Sequence, residues 1–158
     1  MNTETPWLDD VVEPLVGRFR QVPGGLLPLL HAVQEALGHI PPDAVPAIAA
    51  GMNLSRAEVH GVISYYHHFR SEPPGRTVVQ VCKAESCKAC GADALLAHAE
   101  RTLHCQEHHT RGDGAYTLEP VYCLGLCAVS PAVMVGDRLH ALMTPAKFDR
   151  VIAALEQP

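Results

Sequence analysis

The feature that most constrains this chain is a set of four cysteines arranged as two close pairs. Four residues separate Cys82 from Cys87, and three separate Cys123 from Cys127. Each pair offers two sulfur donors from one short loop, and thiolate donors favour zinc, copper(I) or iron–sulfur clusters over hard cations. A [2Fe–2S] cluster takes four cysteine ligands. We therefore interpret these four cysteines as the ligands of one such cluster.

Spacing alone leaves other interpretations of the cysteines open. Cys82, Cys87 and Cys90 also form the C-x4-C-x2-C opening of plant-type ferredoxins, with Cys105 or Cys123 as the fourth ligand. That alternative leaves the second close pair unexplained. A structural zinc site with four thiolate ligands fits the spacing as well. Cys87 and Cys90 also match the C-x-x-C motif of thiol–disulfide oxidoreductases.

Composition restricts the partners and the compartment. The formal charge is -5, with only 12 Lys and Arg in 158 residues, which argues against nucleic acid or an anionic membrane as the main partner. The N-terminal residues lack the basic and apolar regions of a signal peptide, and no apolar run is long enough to span a bilayer. Six cysteines without an export signal favour metal ligands or free thiols over disulfides. We expect a cytoplasmic protein without direct membrane insertion.

The first half of the chain, residues 1–73, has the apolar periodicity of helices. Gly38 and Gly51 suit the C-terminal ends of the second and third helices, and the capping box from Ser55 to Glu58 suits the start of a fourth. The predicted helices are Leu8 to Phe19, Leu26 to Leu37, Asp43 to Ala50, and one that starts near Arg56 and turns Val59, Val62, Ile63 and Tyr66 inward.

The second half, residues 74–158, follows a proline-rich linker at 71–75 and has an α/β pattern. Thr144 is placed to cap the last helix, whose residues Phe148, Val151, Ile152 and Leu155 we expect in the core. The predicted elements are a strand at Thr77–Val81, a helix at Ala92–Leu103, a loop at His104–Gly114, a strand at Tyr116–Tyr122, and a hairpin of Ala132–Val135 and Arg138–Ala141. The fold class is therefore α+β, with a helical bundle before an α/β domain.

Both cysteine loops follow strand ends in this arrangement, and their neighbours suit an anionic cluster. We expect the backbone of Gly91 and Gly125 to donate hydrogen bonds to sulfur, and the helix after Cys87 to direct its N-terminus towards the site. Apolar neighbours should exclude water from it: Leu124, Leu126, Ala128, Val129 and Pro131.

The two cysteine pairs and the Ser130-Pro131 step after them resemble the thioredoxin-like [2Fe–2S] ferredoxin family, which includes the 24 kDa-type subunit of respiratory NADH dehydrogenase. The resemblance covers nearly the whole chain and implies a helical bundle followed by a thioredoxin-like domain. The family's ligands carry over to Cys82, Cys87, Cys123 and Cys127. Pro131 corresponds by this resemblance to the cis-proline of thioredoxin-like folds.

Within the family, the segments 55–62, 65–70, 81–87 and 91–95 are similar to the gamma subunit of NAD-dependent, molybdenum-containing formate dehydrogenase. This resemblance implies a non-catalytic electron-transfer subunit. Its partners would be a beta subunit that binds flavin and NAD and an alpha subunit that holds the molybdenum cofactor. The equivalent subunit of NADH:quinone oxidoreductase or of an NAD-coupled hydrogenase is the first alternative. A zinc-stapled interaction or DNA-binding module, suggested by a faint helix-turn-helix pattern at 54–64, is the alternative from another class.

Overall fold

The computed structural model describes residues 6–155, and these residues divide between Pro73 and Pro74 into two compact units. The N-terminal unit is helical. Its elements are a π-helical turn at Leu8–Val12, α1 at Glu13–Phe19, α2 at Leu26–Leu37, a 3₁₀ turn at Pro42–Ala44, α3 at Val45–Met52 and α4 at Arg56–Tyr65.

The apolar faces of these helices meet in one core, because their buried residues recur at helical spacing. Two predicted helix ends are confirmed. Gly38 ends α2 with φ at 79°, a left-handed conformation that glycine adopts without steric cost. The capping box starts α4, since the Glu58 N–H donates to the Ser55 hydroxyl and the Ser55 N–H donates to the Glu58 carboxylate. The buried core residues of this unit are Val12, Val16, Leu29, Leu30, Val33, Ile40, Ala44, Ile48, Ala49, Val59, Ile63 and Phe69.

Two predictions in this unit are wrong. Gly51 does not stop the third helix, which continues to Met52 and ends at Asn53 in the left-handed conformation. Glycine is needed inside α3, because a Cβ at position 51 would overlap Val16 Cγ1 of α1. Tyr66 is 42% exposed instead of buried, since α4 ends at Tyr65 and the backbone at Tyr66 is extended.

The C-terminal unit is a five-stranded sheet with helices. Its elements are β1 at Thr77–Cys82, α5 at Glu85–Ala89, α6 at Ala92–Leu103, β2 at His109–Thr110, β3 at Tyr116–Val121, a 3₁₀ turn at Cys127–Val129, β4 at Val133–Val135, β5 at Arg138–His140 and α7 at Pro145–Leu155. The strand order is β2-β3-β1-β4-β5, in which only β1 and β3 are parallel.

The predicted order of strands and helices is confirmed apart from two short elements. The five-residue helix α5 was not expected, and the two-residue strand β2 lies in the segment predicted to be a loop. Both are too short to give a periodic signal. Thr144 caps α7 as predicted, because its hydroxyl accepts a hydrogen bond from the Lys147 N–H. Leu155 is 49% exposed, so its predicted place in the core is wrong.

The parallel pairing of β1 with β3 positions the cysteine loops. In this register Cys82 lies beside Val121, and Cys123 follows two residues later. Because both strands run in the same direction, their carboxyl ends lie at one edge of the sheet. The Lys83 N–H donates to the Val121 carbonyl over 2.7 Å, which extends the pairing into the loops. Within residues 6–155, none of the helices has both the length and the apolar character needed to cross a bilayer.

The close approach of α3 to α1 gives a prediction about stability. We expect Gly51→Ala to lower the free energy of unfolding by about 1 kcal/mol. Overpacking against Val16, a β-branched residue with a stiff side chain, costs about 1–3 kcal/mol. That cost exceeds the gain of up to about 1 kcal/mol from replacing glycine in a helix. Urea denaturation followed by circular dichroism measures the change.

Gly61 provides the matched control. It lies inside α4, and a Cβ there would meet nothing within 4 Å. Gly61→Ala should therefore raise the free energy of unfolding by up to about 1 kcal/mol. Equal stabilisation by both substitutions would show that α1 and α3 are not in the contact described.

Candidate metal centre

The first cysteine pair is buried. Cys82 is the last residue of β1 and Cys87 lies in the middle of α5, and each is only 1% exposed. Their side chains pack with Ala92 and Ala132 in a small buried cluster, and Leu124 and Leu126 of the second loop lie against it. The two thiols influence each other's pKa through a side-chain interaction. This pair therefore presents two sulfur atoms that the fold shields from water.

The second cysteine pair is exposed. Cys123 follows β3, Cys127 opens a 3₁₀ turn, and their Sγ atoms are 3.6 Å apart. The Gly125 N–H donates to Cys123 Sγ over 3.3 Å, as the sequence predicted. Gly125 reaches this position with φ at 76°, which favours glycine, whereas Cys123 itself has φ at 145°. Such backbone strain at a residue with a side chain is typical of functional sites.

The four thiols form two pairs instead of one group around a single point. Among residues 6–155, no three side chains of His, Cys, Asp or Glu come together in the manner of a site for one metal ion. A [2Fe–2S] cluster has two irons and four cysteine ligands, so each iron takes two thiolates. Two pairs at one sheet edge therefore fit a binuclear cluster better than a zinc ion, which needs four donors in a tetrahedron.

The thiol pKa values reflect these surroundings. Burial raises the pKa of Cys82. Burial acts in the same direction on Cys87, but hydrogen bonds from Ser130, Cys82 and the backbone of Ala132 lower its pKa below the ordinary value. The hydrogen bond with Cys123 raises the pKa of Cys127. Donors that stabilise the Cys87 thiolate also suit a metal ligand, because the thiolate is the form that binds metal.

Two predictions about the surroundings of the site are wrong. The Gly91 N–H donates to the Lys88 carbonyl over 3.0 Å and not to sulfur, because it closes the turn that follows α5. The apolar shield is incomplete, since Cys123 and Cys127 are exposed together with Ala128. The Ser130–Pro131 peptide bond is cis, which confirms the expectation drawn from the family resemblance.

The remaining two cysteines lie apart from the pairs. Cys90 is exposed at the C-terminal end of α5. Cys105 is buried, and its thiol donates to the His109 carbonyl over 2.9 Å within its own loop. These positions do not favour the plant-type ligand set, in which Cys90 is a ligand and Cys127 is not.

Two serines to which the sequence analysis gave no role at the site join the cysteine loops. The Ser86 hydroxyl donates to the Cys127 carbonyl over 2.9 Å and lies 3.0 Å from the Ser130 hydroxyl. Ser130 also donates to that carbonyl over 3.1 Å and lies 3.4 Å from Cys87 Sγ. The sequence signals were the position of Ser86 directly before Cys87 and the place of Ser130 in the Ser130-Pro131 step that carries the family resemblance.

The family model described as thioredoxin-like [2Fe-2S] ferredoxin matches residues 12–156. The chain belongs to this family. One subunit of the NADH-quinone oxidoreductase of Rhizobium meliloti is 34% identical over 89% of this chain and 84% of its own length. The NADP-reducing hydrogenase subunit HndA of Solidesulfovibrio fructosivorans is 30% identical over 94% of this chain and 86% of its own.

A solved structure shows the same fold. The chain is similar to part of a NAD+-reducing [NiFe]-hydrogenase in the H2-reduced state, with a TM-score of 0.69 and 24% identity. The similarity covers 85% of this chain but only 23% of the hydrogenase chain. At this identity the comparison establishes the architecture alone, and it confirms the predicted fold class of helices combined with a thioredoxin-like sheet.

Proposed function

We propose that this chain is an electron-transfer subunit whose Cys82, Cys87, Cys123 and Cys127 hold one [2Fe–2S] cluster. The observation that carries the proposal is the placement of two thiol pairs at the carboxyl ends of the parallel strands β1 and β3. Membership of a [2Fe–2S] ferredoxin family supports the same ligand type. The bound cluster would supply one-electron transfer.

The protein's own residues would divide this task between two sides of the site. Cys82 and Cys87 anchor one side in the buried cluster with Ala92 and Ala132, so water has little access to their sulfur atoms. Cys123 and Cys127 are exposed, so a partner surface can reach the other side without opening the fold. No side chain of the chain needs to act as an acid, base or nucleophile in this role.

For the complex that this subunit serves, we favour a cytoplasmic NAD-dependent formate dehydrogenase. The similarity of segments 55–62, 65–70, 81–87 and 91–95 to its gamma subunit supports this choice. Flavin and NAD would bind a beta subunit, and the molybdenum cofactor an alpha subunit. The second candidate is the equivalent subunit of an NADH-quinone oxidoreductase or a NAD(P)-reducing hydrogenase, which the named relatives favour.

The cluster assignment predicts the metal content. Protein purified without air should contain about two irons and two acid-labile sulfides per chain, and its brown colour should bleach on reduction. Iron, zinc and sulfide analysis with a visible spectrum measures this. About one zinc without sulfide, in a colourless protein, would instead identify a structural zinc site.

The ligand set predicts a contrast between two cysteine variants. Cys127→Ala should lose most of the iron, because one iron would then lack a thiolate. Cys90→Ala is the control and should keep the full iron content and spectrum, since Cys90 belongs to neither pair. Iron and sulfide content measured on both variants decides the point. A full cluster in Cys127→Ala, or its loss in Cys90→Ala, would contradict the assignment.

The choice of complex predicts the metal of the large partner. The tagged chain, purified under mild conditions from its own cells, should bring with it a subunit that contains molybdenum, and formate should reduce NAD+ in that preparation. Elemental analysis and this assay measure both properties. A partner with nickel, or with quinone reductase subunits and no molybdenum, would establish the second candidate instead.

A further inference from the structure

The Ser86 and Ser130 hydroxyls form a small network between the two cysteine loops. Ser86 belongs to α5 beside Cys87, and Ser130 follows the turn that Cys127 opens. Both hydroxyls lie within 3.1 Å of the Cys127 carbonyl oxygen, and they are 3.0 Å from each other. Ser130 Oγ is also 3.4 Å from Cys87 Sγ, so one hydroxyl contacts both loops.

The number of protons decides which contacts can form together. Each hydroxyl has one proton to donate, and the Ser130 proton has three acceptors within reach, the Cys127 carbonyl, Cys87 Sγ and the Ser86 oxygen. A thiolate has no proton, so in any hydrogen bond with a metal-bound Cys87 the hydroxyl of Ser130 must be the donor. The Cys127 carbonyl still receives the proton of Ser86, which lies 2.9 Å away.

We infer that Ser130 is a positioning residue of the metal centre whose hydroxyl donates a hydrogen bond to Cys87 Sγ, and that Ser86 leaves it free to do so. This inference rests on the proposed function, because it requires Cys87 to be a ligand. Because Ser86 donates a hydrogen bond to the Cys127 carbonyl, this carbonyl does not need a second one from Ser130. The Ser86 proton cannot also serve the Ser130 oxygen, so the two hydroxyls act on separate acceptors.

The hydrogen bond should raise the reduction potential of the centre. Reduction by one electron makes the ligand sulfurs more negative, and a hydroxyl donor stabilises that form more than the oxidised one. Cys87 is 1% exposed, so water cannot readily replace the Ser130 donor. The electron comes from a mediator dye or a partner, both hydroxyl protons stay on their oxygens, and no covalent bond forms or breaks.

The test is the midpoint potential of the full-length protein with its full iron and sulfide content. We expect Ser130→Ala to shift it to a more negative value, and Ser130→Thr, which keeps a hydroxyl, to restore most of the shift. Ser86→Ala should give a smaller shift in the same direction, because Ser130 then has to serve the Cys127 carbonyl as well. Ser64→Ala is the matched control, since that exposed hydroxyl donates to Gly61 within α4. A redox titration with dyes, followed by electron paramagnetic resonance, gives the potentials of the wild type and the four variants.

The outcomes separate this inference from the proposed function. An unchanged potential in Ser130→Ala with a full cluster would overturn the inference alone. Wild-type protein without iron and sulfide would overturn both. Loss of iron from Ser130→Ala but not from Ser130→Thr would support the positioning role, because restoring a hydroxyl restores the site. Loss of iron from both variants would overturn it, since the hydroxyl then makes no difference.

Discussion

The site depends first on the parallel pairing of β1 with β3. This pairing is the only parallel one in the sheet of the described residues, and it brings two strand ends that are about forty residues apart in the chain to one edge. An antiparallel partner would have put the second cysteine loop at the opposite edge. The helix α6, at Ala92–Leu103, lies between the two strands in the chain and provides the crossover that parallel strands need.

The two cysteine pairs differ in burial, and this difference follows the secondary structure in which each pair lies. Cys82 and Cys87 belong to regular elements, a strand end and a short helix, whose backbone is held by the sheet and by α6. Cys123 and Cys127 lie in a loop with little regular structure. One half of the site is therefore shielded within regular structure, while the other is reachable from outside. An electron-transfer centre needs both properties, because a protected cluster must still come close to its partner.

Much of the fold could be predicted from the sequence because its signals are local. The capping box at Ser55, the left-handed turn at Gly38 and the cap at Thr144 each arise from neighbouring residues. The failure at Gly51 arises from a contact between distant residues. Glycine there favours a helix stop by its local signal, and only the approach of Val16 from another helix explains why it stands inside α3.

The same distinction applies to the site. The Gly125 turn is visible in the sequence, whereas the contact of Ser130 with Cys87 is not, because the two residues are 43 positions apart in the chain and only the folded sheet edge brings them together.

As proposed ligands, Cys123 and Cys127 of the exposed loop would give the metal a role in folding as well as in electron transfer. Cys123 has a backbone conformation that costs on the order of 1–3 kcal/mol for a residue with a side chain. Hydrogen bonds donated by Gly125 and Ser86 hold the loop in this shape. Bonds from Cys123 and Cys127 to iron would add to them, and that binding free energy is available only to the folded chain. In the proposed site, these hydrogen bonds and the bonds to iron would therefore favour the same conformation at Cys123.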